Sequence, residues 1–216
     1  IIELLLFFSI SGLMFVALMA GVSTNINSQR YKDGVTTFAG VLQQQYSEVS
    51  NTRNDRDNNW RCDPGSIVLP DTTPTAQARG TTECVMLGRY IRAVDAGNKI
   101  ETGNVVGLEP SPAALYGSDI DALWAYHPTI STFGKEERTN EWGVKLRNIG
   151  GTAANFSILI LRSPQSGLVR VFAESAPFPT PLRVMITPAA ATKELVTCVG
   201  AEGWTVGATQ AVVLKA

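Results

Sequence analysis

Histidine and cysteine are scarce in this chain: 216 residues contain one His, at 127, and three Cys, at 62, 84 and 198. With one imidazole and no Cys-x-x-Cys, the four-ligand sets that hold zinc are not assembled, and no metal or cofactor is expected. An excess of positive charge is also lacking. Eighteen Lys and Arg meet 19 Asp and Glu, for a net charge of -1 and a pI of about 5.9. Neutralising phosphates needs clustered cations, so no nucleic-acid partner is expected. The sequence contains no Gly-x-Ser-x-Gly elbow, His-Glu-x-x-His, P-loop or Gly-x-Gly-x-x-Gly, so no enzymatic constellation is expected either. His127, followed by Pro128, reads as a loop residue or a satisfied core group. Asp119 and Asp121 lie two apart and would not share a helix face. Asp55, Asp57 and Asn59 have the spacing that opens a calcium loop, but Trp60 replaces the turn glycine and Ser66 the terminal Glu.

The strongest feature is at the start. Residues 1–22, IIELLLFFSISGLMFVALMAGV, carry one charge, Glu3, and no Lys, Arg or Pro. As a helix rising 1.5 Å per residue they would span about 33 Å, the thickness of a bilayer's hydrocarbon core. A carboxylate at mid-bilayer costs about 2.5–3.5 kcal/mol, less near the end of a segment. At a helix N-terminus the macrodipole returns about 0.3–1 kcal/mol of that. In a bundle of such helices Glu3 needs a counter-charge, and its own chain offers no side-chain cation until Arg30. An α-amino group, its own or a neighbour's, is the nearest source. The apolar segment starts without Met or a basic n-region, so a cut at Ile1 would lie on the N-terminal side of the hydrophobic helix, opposite to signal peptidase. A single-pass anchor lacking its first residues is the alternative.

Ile1-Ile2-Glu3-Leu4-Leu5 followed by an unbroken apolar helix resembles the processed N-terminus of type IV pilins and the pseudopilins of type II secretion. The resemblance is close over residues 1–22, extends to about Val49, and is diffuse beyond. It implies cleavage and N-methylation by a prepilin peptidase. The family Glu normally lies two residues deeper, which implies two residues, resembling Phe-Thr, before Ile1. It further implies a bacterial inner-membrane precursor extracted by a pilus assembly machinery into a homo-oligomeric helical surface filament for adhesion or motility. Glu3, Ile1, Ile2, Leu4, Leu5, Phe7, Phe8, Gly12, Phe15 and Gly21 would carry assembly. A pseudopilin or low-copy minor pilin is the second expectation, and a membrane-anchored enzyme or binding domain the third.

The expected organisation is a core helix over 1–22, its amphipathic continuation over 23–53, and a β-rich head over 54–216, an α+β architecture. In the continuation Ile26, Tyr31, Val35, Phe38, Leu42, Tyr46 and Val49 recur at helical spacing. Gly12, Gly21, Gly34 and Gly40 interrupt the helix. Many members of the resembled family carry a Pro just past the apolar stretch, near a region that loses helicity in the assembled filament; here no Pro precedes Pro64, so the resemblance implies that any such unwinding falls between Gly12 and Gly21, unless these glycines serve close helix approach. Short β-rich runs predict strands over 66–69, 84–93, 104–108, 142–148, 156–161, 168–173, 182–186, 195–199 and 210–214. Residues 163–167 read as a hairpin turn, and 113–126 as a possible short helix. Residues 197–204 resemble the penultimate hairpin of the larger pseudopilins, whose two-sheet head the strand number fits. Cys62 and Cys84 flank a Pro- and Thr-rich loop, and their pairing is favoured over either alternative with Cys198 if the head is extracytoplasmic. Closing that loop is worth about 3 kcal/mol in the chain-entropy model. Cys198 is then expected as a buried thiol. Asn155-Phe156-Ser157 has the form of a glycosylation sequon but falls in an expected strand. The threonines around Asp71 offer a second surface for sugar.

Overall fold

A computed structural model describes residues 2–51, 60–62, 68–70, 84–110, 115–131, 134–201 and 210–215; for strands 60–62 and 68–70 only the backbone is described. The calcium-like run at 55–59, the Thr-rich loop around Asp71, residues 202–204 of the 197–204 hairpin, and Ile1 lie outside the described residues. The architecture is α+β, as expected: one long N-terminal helix and an antiparallel β-rich head.

α1 (Ile2–Ser50) is a single uninterrupted helix of 49 residues, about 73 Å long at 1.5 Å per residue. No break occurs between Gly12 and Gly21. Its two halves differ because their sequence patterns differ. Residues 2–26 are exposed throughout, whereas Tyr31, Gly34, Phe38, Val41, Leu42, Gln45 and Val49 form a buried stripe at spacings of three and four. Ile26 and Tyr46, two members of the expected stripe, are exposed, and Gly34, Val41 and Gln45 join it instead. Apolarity alone selected Tyr46, but the head lies one residue round the helix, over Gln45.

The head contains β1 (Trp60–Cys62), β2 (Val68–Pro70), β3 (Cys84–Val94), β4 (Lys99–Leu108), α2 (Asp119–Ala125), β5 (Thr129–Ile130), β6 (Glu136–Thr139), β7 (Val144–Arg147), β8 (Ser157–Arg162), β9 (Val169–Glu174), β10 (Glu194–Ala201) and β11 (Gln210–Lys215). Among the described residues these form three antiparallel sheets. β1 pairs with β2; β11-β10-β7 make a three-stranded sheet; β5-β4-β3-β8-β9 make the largest, with β6 also pairing to β4.

The large sheet is covered on both faces, and β8 shows why. Ile158 and Ile160 point into a cluster with Tyr31, Phe38 and Leu42 of α1, while Leu159 and Leu161 point into a second cluster with Leu123 of α2, Phe172 and Met185. A strand buried on both sides reads as a continuous apolar run. The three-stranded sheet adds Val144, Leu146, Leu195 and Val199 to the α1 side. α1 therefore packs over residues from both sheets.

Several expected boundaries move. Residues 182–186 are no strand: Leu182–Met185 form a 3-10 turn after Pro181, burying Leu182, Met185 and Ile186 while Val184 is exposed. Their burial at i, i+3 and i+4 is helical in period, and the run's β-branched and apolar content concealed it. The expected strand at 142–148 starts at Val144, because Glu141–Gly143 is a tight turn with Trp142 at φ 58°. The expected strand at 104–108 extends back to Lys99, and only 119–125 of the 113–126 segment is helical in the described residues. Ser118 caps α2: its Oγ accepts from the Asp121 amide at 3.2 Å and donates to the Asp121 carboxylate at 2.7 Å. β6, Glu-Glu-Arg-Thr, is exposed at every position and offers no alternation from which a strand could be read. The 163–167 hairpin joins β8 to β9 as expected.

Candidate functional site

The exposed half of α1 is the feature that needs a function. It is long and apolar enough to cross a membrane, and no part of its most apolar window is buried in the head. Ile2, Leu4, Leu5, Phe7, Phe8 and Phe15 are all more than half exposed. Burying one such side chain is worth about 1.5–3 kcal/mol, so leaving these six in water costs about 9–18 kcal/mol in aggregate. A Cβ added at Gly12 or Gly21 would meet nothing within 4 Å beyond the adjoining helix backbone, which leaves their faces open to an outside neighbour. Thr24, at the polar edge of the rod, donates its hydroxyl back to the Ala20 carbonyl at 2.9 Å.

Glu3 sits in the first turn and is exposed. Among the described residues no cation pairs with it. Arg30 is 27 residues further along the helix, about 40 Å away. Its guanidinium instead lies over the Trp142 ring, 5.2 Å from the centroid.

The junction between helix and head is polar at both ends. Near the exposed half, the Tyr31 hydroxyl donates to the Val199 carbonyl at 2.6 Å and accepts from the Gln210 amide. This ties α1 to β10 and β11. At the far end, Arg89 of β3 donates from Nε to Gln45 Oε1 at 2.6 Å and from Nη1 to Asn104 Oδ1 at 2.9 Å, with Glu48 Oε2 3.1 Å from Nε. Gln45 is 1 % exposed and carries this link, which a search for apolar periodicity passes over.

Within the head, Glu101 of β4 is buried among Arg92 (2.7 Å), Lys135 (2.9 Å) and the Tyr90 hydroxyl (2.8 Å). Burial pushes its carboxyl up, but the hydrogen bonds from Arg92, Lys135 and Tyr90 outweigh that and hold it below the ordinary carboxylate value. Burial, together with the Glu101 carboxylate, pushes the Tyr90 phenol up. With two cations shared by one buried acid, this is a structural ion-pair cluster.

The residues singled out for chemistry do not converge. His127 is exposed, at φ 47°, with Nδ1 3.4 Å from Arg183. Asp119 is held below its ordinary value by the hydroxyls of Ser166 and Ser163 and by Arg170, while the Asp121 carboxylate accepts from the hydroxyl of Ser118, the α2 cap. Among the described residues no group of three or more His, Cys, Asp or Glu is placed to hold a metal. A cleft of about 280 Å³ between α1 and residues 138–146 has an apolar floor of Phe38, Val41, Ile100 and Leu146. Cys84 is disulfide-bonded; the side chain of Cys62, its expected partner, lies outside the described residues. Cys198 is free and half-buried rather than buried, because on β10 it alternates with Thr197 and Val199, which take the inward face. In the sequon, Asn155 is exposed but Phe156 and Ser157 are buried, and the Ser157 hydroxyl is bonded to the Ala176 carbonyl at 2.7 Å.

Comparison with protein-family models, with curated proteins and with solved structures finds no match for this chain.

Proposed function

We propose that this chain is a structural subunit of a bacterial type IV pilus, held by residues 2–22 in the inner membrane and then drawn into a helical filament of identical subunits. The observation that carries the reading is the wholly exposed apolar half of α1 with a single acid, Glu3, in its first turn. In a filament, neighbouring helices replace lipid around that half, and Glu3 finds an N-terminal amine of an adjacent subunit. Lipid and helix surfaces are equally apolar, so the charge pair selects the register that generic apolar contact leaves open. The head, fastened to the second half of α1, forms the outer surface, and a prepilin peptidase would generate the mature terminus.

The test is Glu3→Ala and Glu3→Leu. Both variants are expected in the membrane fraction at wild-type level with sheared surface filament sharply reduced; wild-type filament yield in both would refute the reading. The separate three-stranded sheet beside the larger one favours a second reading, a type II secretion pseudopilin or low-copy minor pilin. Purified surface filaments composed mainly of this chain would exclude it.

A further inference from the structure

Trp142 has features that subunit assembly does not explain. It is 47 % exposed and held at φ 58°, ψ 23°, a left-handed conformation in which a bulky residue is an outlier. Backbone strain of this kind persists where surrounding structure imposes it and is often tied to function. Here Arg30 is stacked on the exposed ring. Along α1, Arg30 is the residue just before burial against the head begins at Tyr31. The Glu141–Gly143 turn therefore lies at the end of the described head that faces the apolar rod.

The spacing to a membrane follows from helix geometry. Residues 2–22 measure about 31 Å, matching a hydrocarbon core of about 30 Å. Arg30 is eight residues past Val22, about 12 Å further on, with its guanidinium over the Trp142 ring. The headgroup layer is about 5–7 Å thick, and spanning helices tilt by about 20° on average. A tilt toward the Glu141–Gly143 turn lowers the ring and the guanidinium toward the headgroups. Glu141, the nearest acid in that turn, accepts from Thr37 at 3.4 Å, so its carboxylate is directed along α1 away from the apolar half.

We propose that Trp142 and Arg30 form a lipid-interface anchor in the membrane-held subunit, the indole at headgroup depth and the guanidinium on lipid phosphate, fixing the direction in which α1 tilts. A bilayer suits this patch better than a second copy does. The patch is one amphipathic ring with one cation, continuous with the membrane segment, and these are the residue types that settle at a membrane interface. The inference rests on residues 2–22 being membrane-embedded.

The experiment uses the full chain in phosphatidylcholine vesicles with Trp60, Trp124 and Trp204 changed to Phe, leaving Trp142 as reporter. Lipids brominated close to the headgroup should quench its emission about twofold more than lipids brominated near the chain ends, as expected for an interfacial indole. The otherwise unchanged chain carrying Trp142→Phe should lose the same share of quenching, so the result does not depend on the triple substitution folding. A chain that floats with the vesicles while neither measurement shows that quenching overturns the anchor alone. A chain that does not float with them overturns the membrane reading of residues 2–22 and the anchor with it.

Discussion

Gly34 of α1 lies directly against Val144 of β7: a Cβ added at Gly34 would stand 2.7 Å from the Val144 Cγ2. Val is stiff at χ1, so its methyl cannot swing away cheaply. Gly34→Leu is expected to destabilise the helix-head junction by about 1–3 kcal/mol, as overpacking does. Gly40, with nothing within 4 Å, is the control: Gly40→Ala should gain up to about 1 kcal/mol from helix propensity. Urea unfolding in detergent, followed by near-ultraviolet dichroism of the head, measures both. Equal effects from the two substitutions would contradict the close approach.

Gln45 and its neighbour Tyr46 should separate just as clearly. Gln45→Leu removes the acceptor 2.6 Å from Arg89 Nε, leaving Glu48 and Asn104 as the partners of that guanidinium, and is expected to cost about 1.5–3 kcal/mol, the worth of a hydrogen bond to a charged group. Tyr46→Ala, at a position 48 % exposed, should stay within about 0.5 kcal/mol of wild type. Thermal unfolding of the two variants side by side decides which residue the head rests on.

Acid should weaken the head through Glu101. Its folded carboxyl lies below the ordinary value, so more protons bind the unfolded chain. The stabilisation is fully present above the unfolded carboxylate value of about 4.3 and is lost as pH falls through the depressed folded value. Glu101→Gln should lower stability at neutral pH and flatten the acid limb of the stability curve below about pH 5. An unchanged acid limb in denaturant titrations across that range would show that Glu101 is not a major linked group.

Hydrogen exchange should find the weakest stretch of α1 at 23–29, Ser-Thr-Asn-Ile-Asn-Ser-Gln. These are poor to middling helix formers, they follow the apolar rod, and the buried stripe that fastens α1 to the head starts only at Tyr31. In vesicles the amides of 23–29 are expected to exchange fastest in the helix, ahead of both 2–22 and 31–49. Fastest exchange between Gly12 and Gly21 would contradict this ranking and place the weakest stretch at the glycines.

The N-terminal half was legible from residue types alone. Twenty-two residues with one charge and no proline can satisfy their backbone only as a helix and their side chains only in an apolar surrounding, and neither requirement refers to any other part of the chain. The β-rich head and the β8–β9 hairpin were likewise written in local pattern. Tertiary structure decided which face of the second half of α1 meets the head, and it chose Gly34 and Gln45 over Ile26 and Tyr46. That choice turns on steric room at Val144 and on an acceptor for Arg89, partners roughly 110 and 44 positions away, which no local periodicity encodes. The same holds for β6, an all-exposed strand that exists because β4 supplies its hydrogen bonds, and for Leu182–Met185, where burial beneath the large sheet imposes a helical turn on a run of strand-like composition. Local composition sets what a segment can become; contacts between residues far apart in the chain choose among those options, because only the packed head supplies the steric limits and hydrogen-bond partners that rank them.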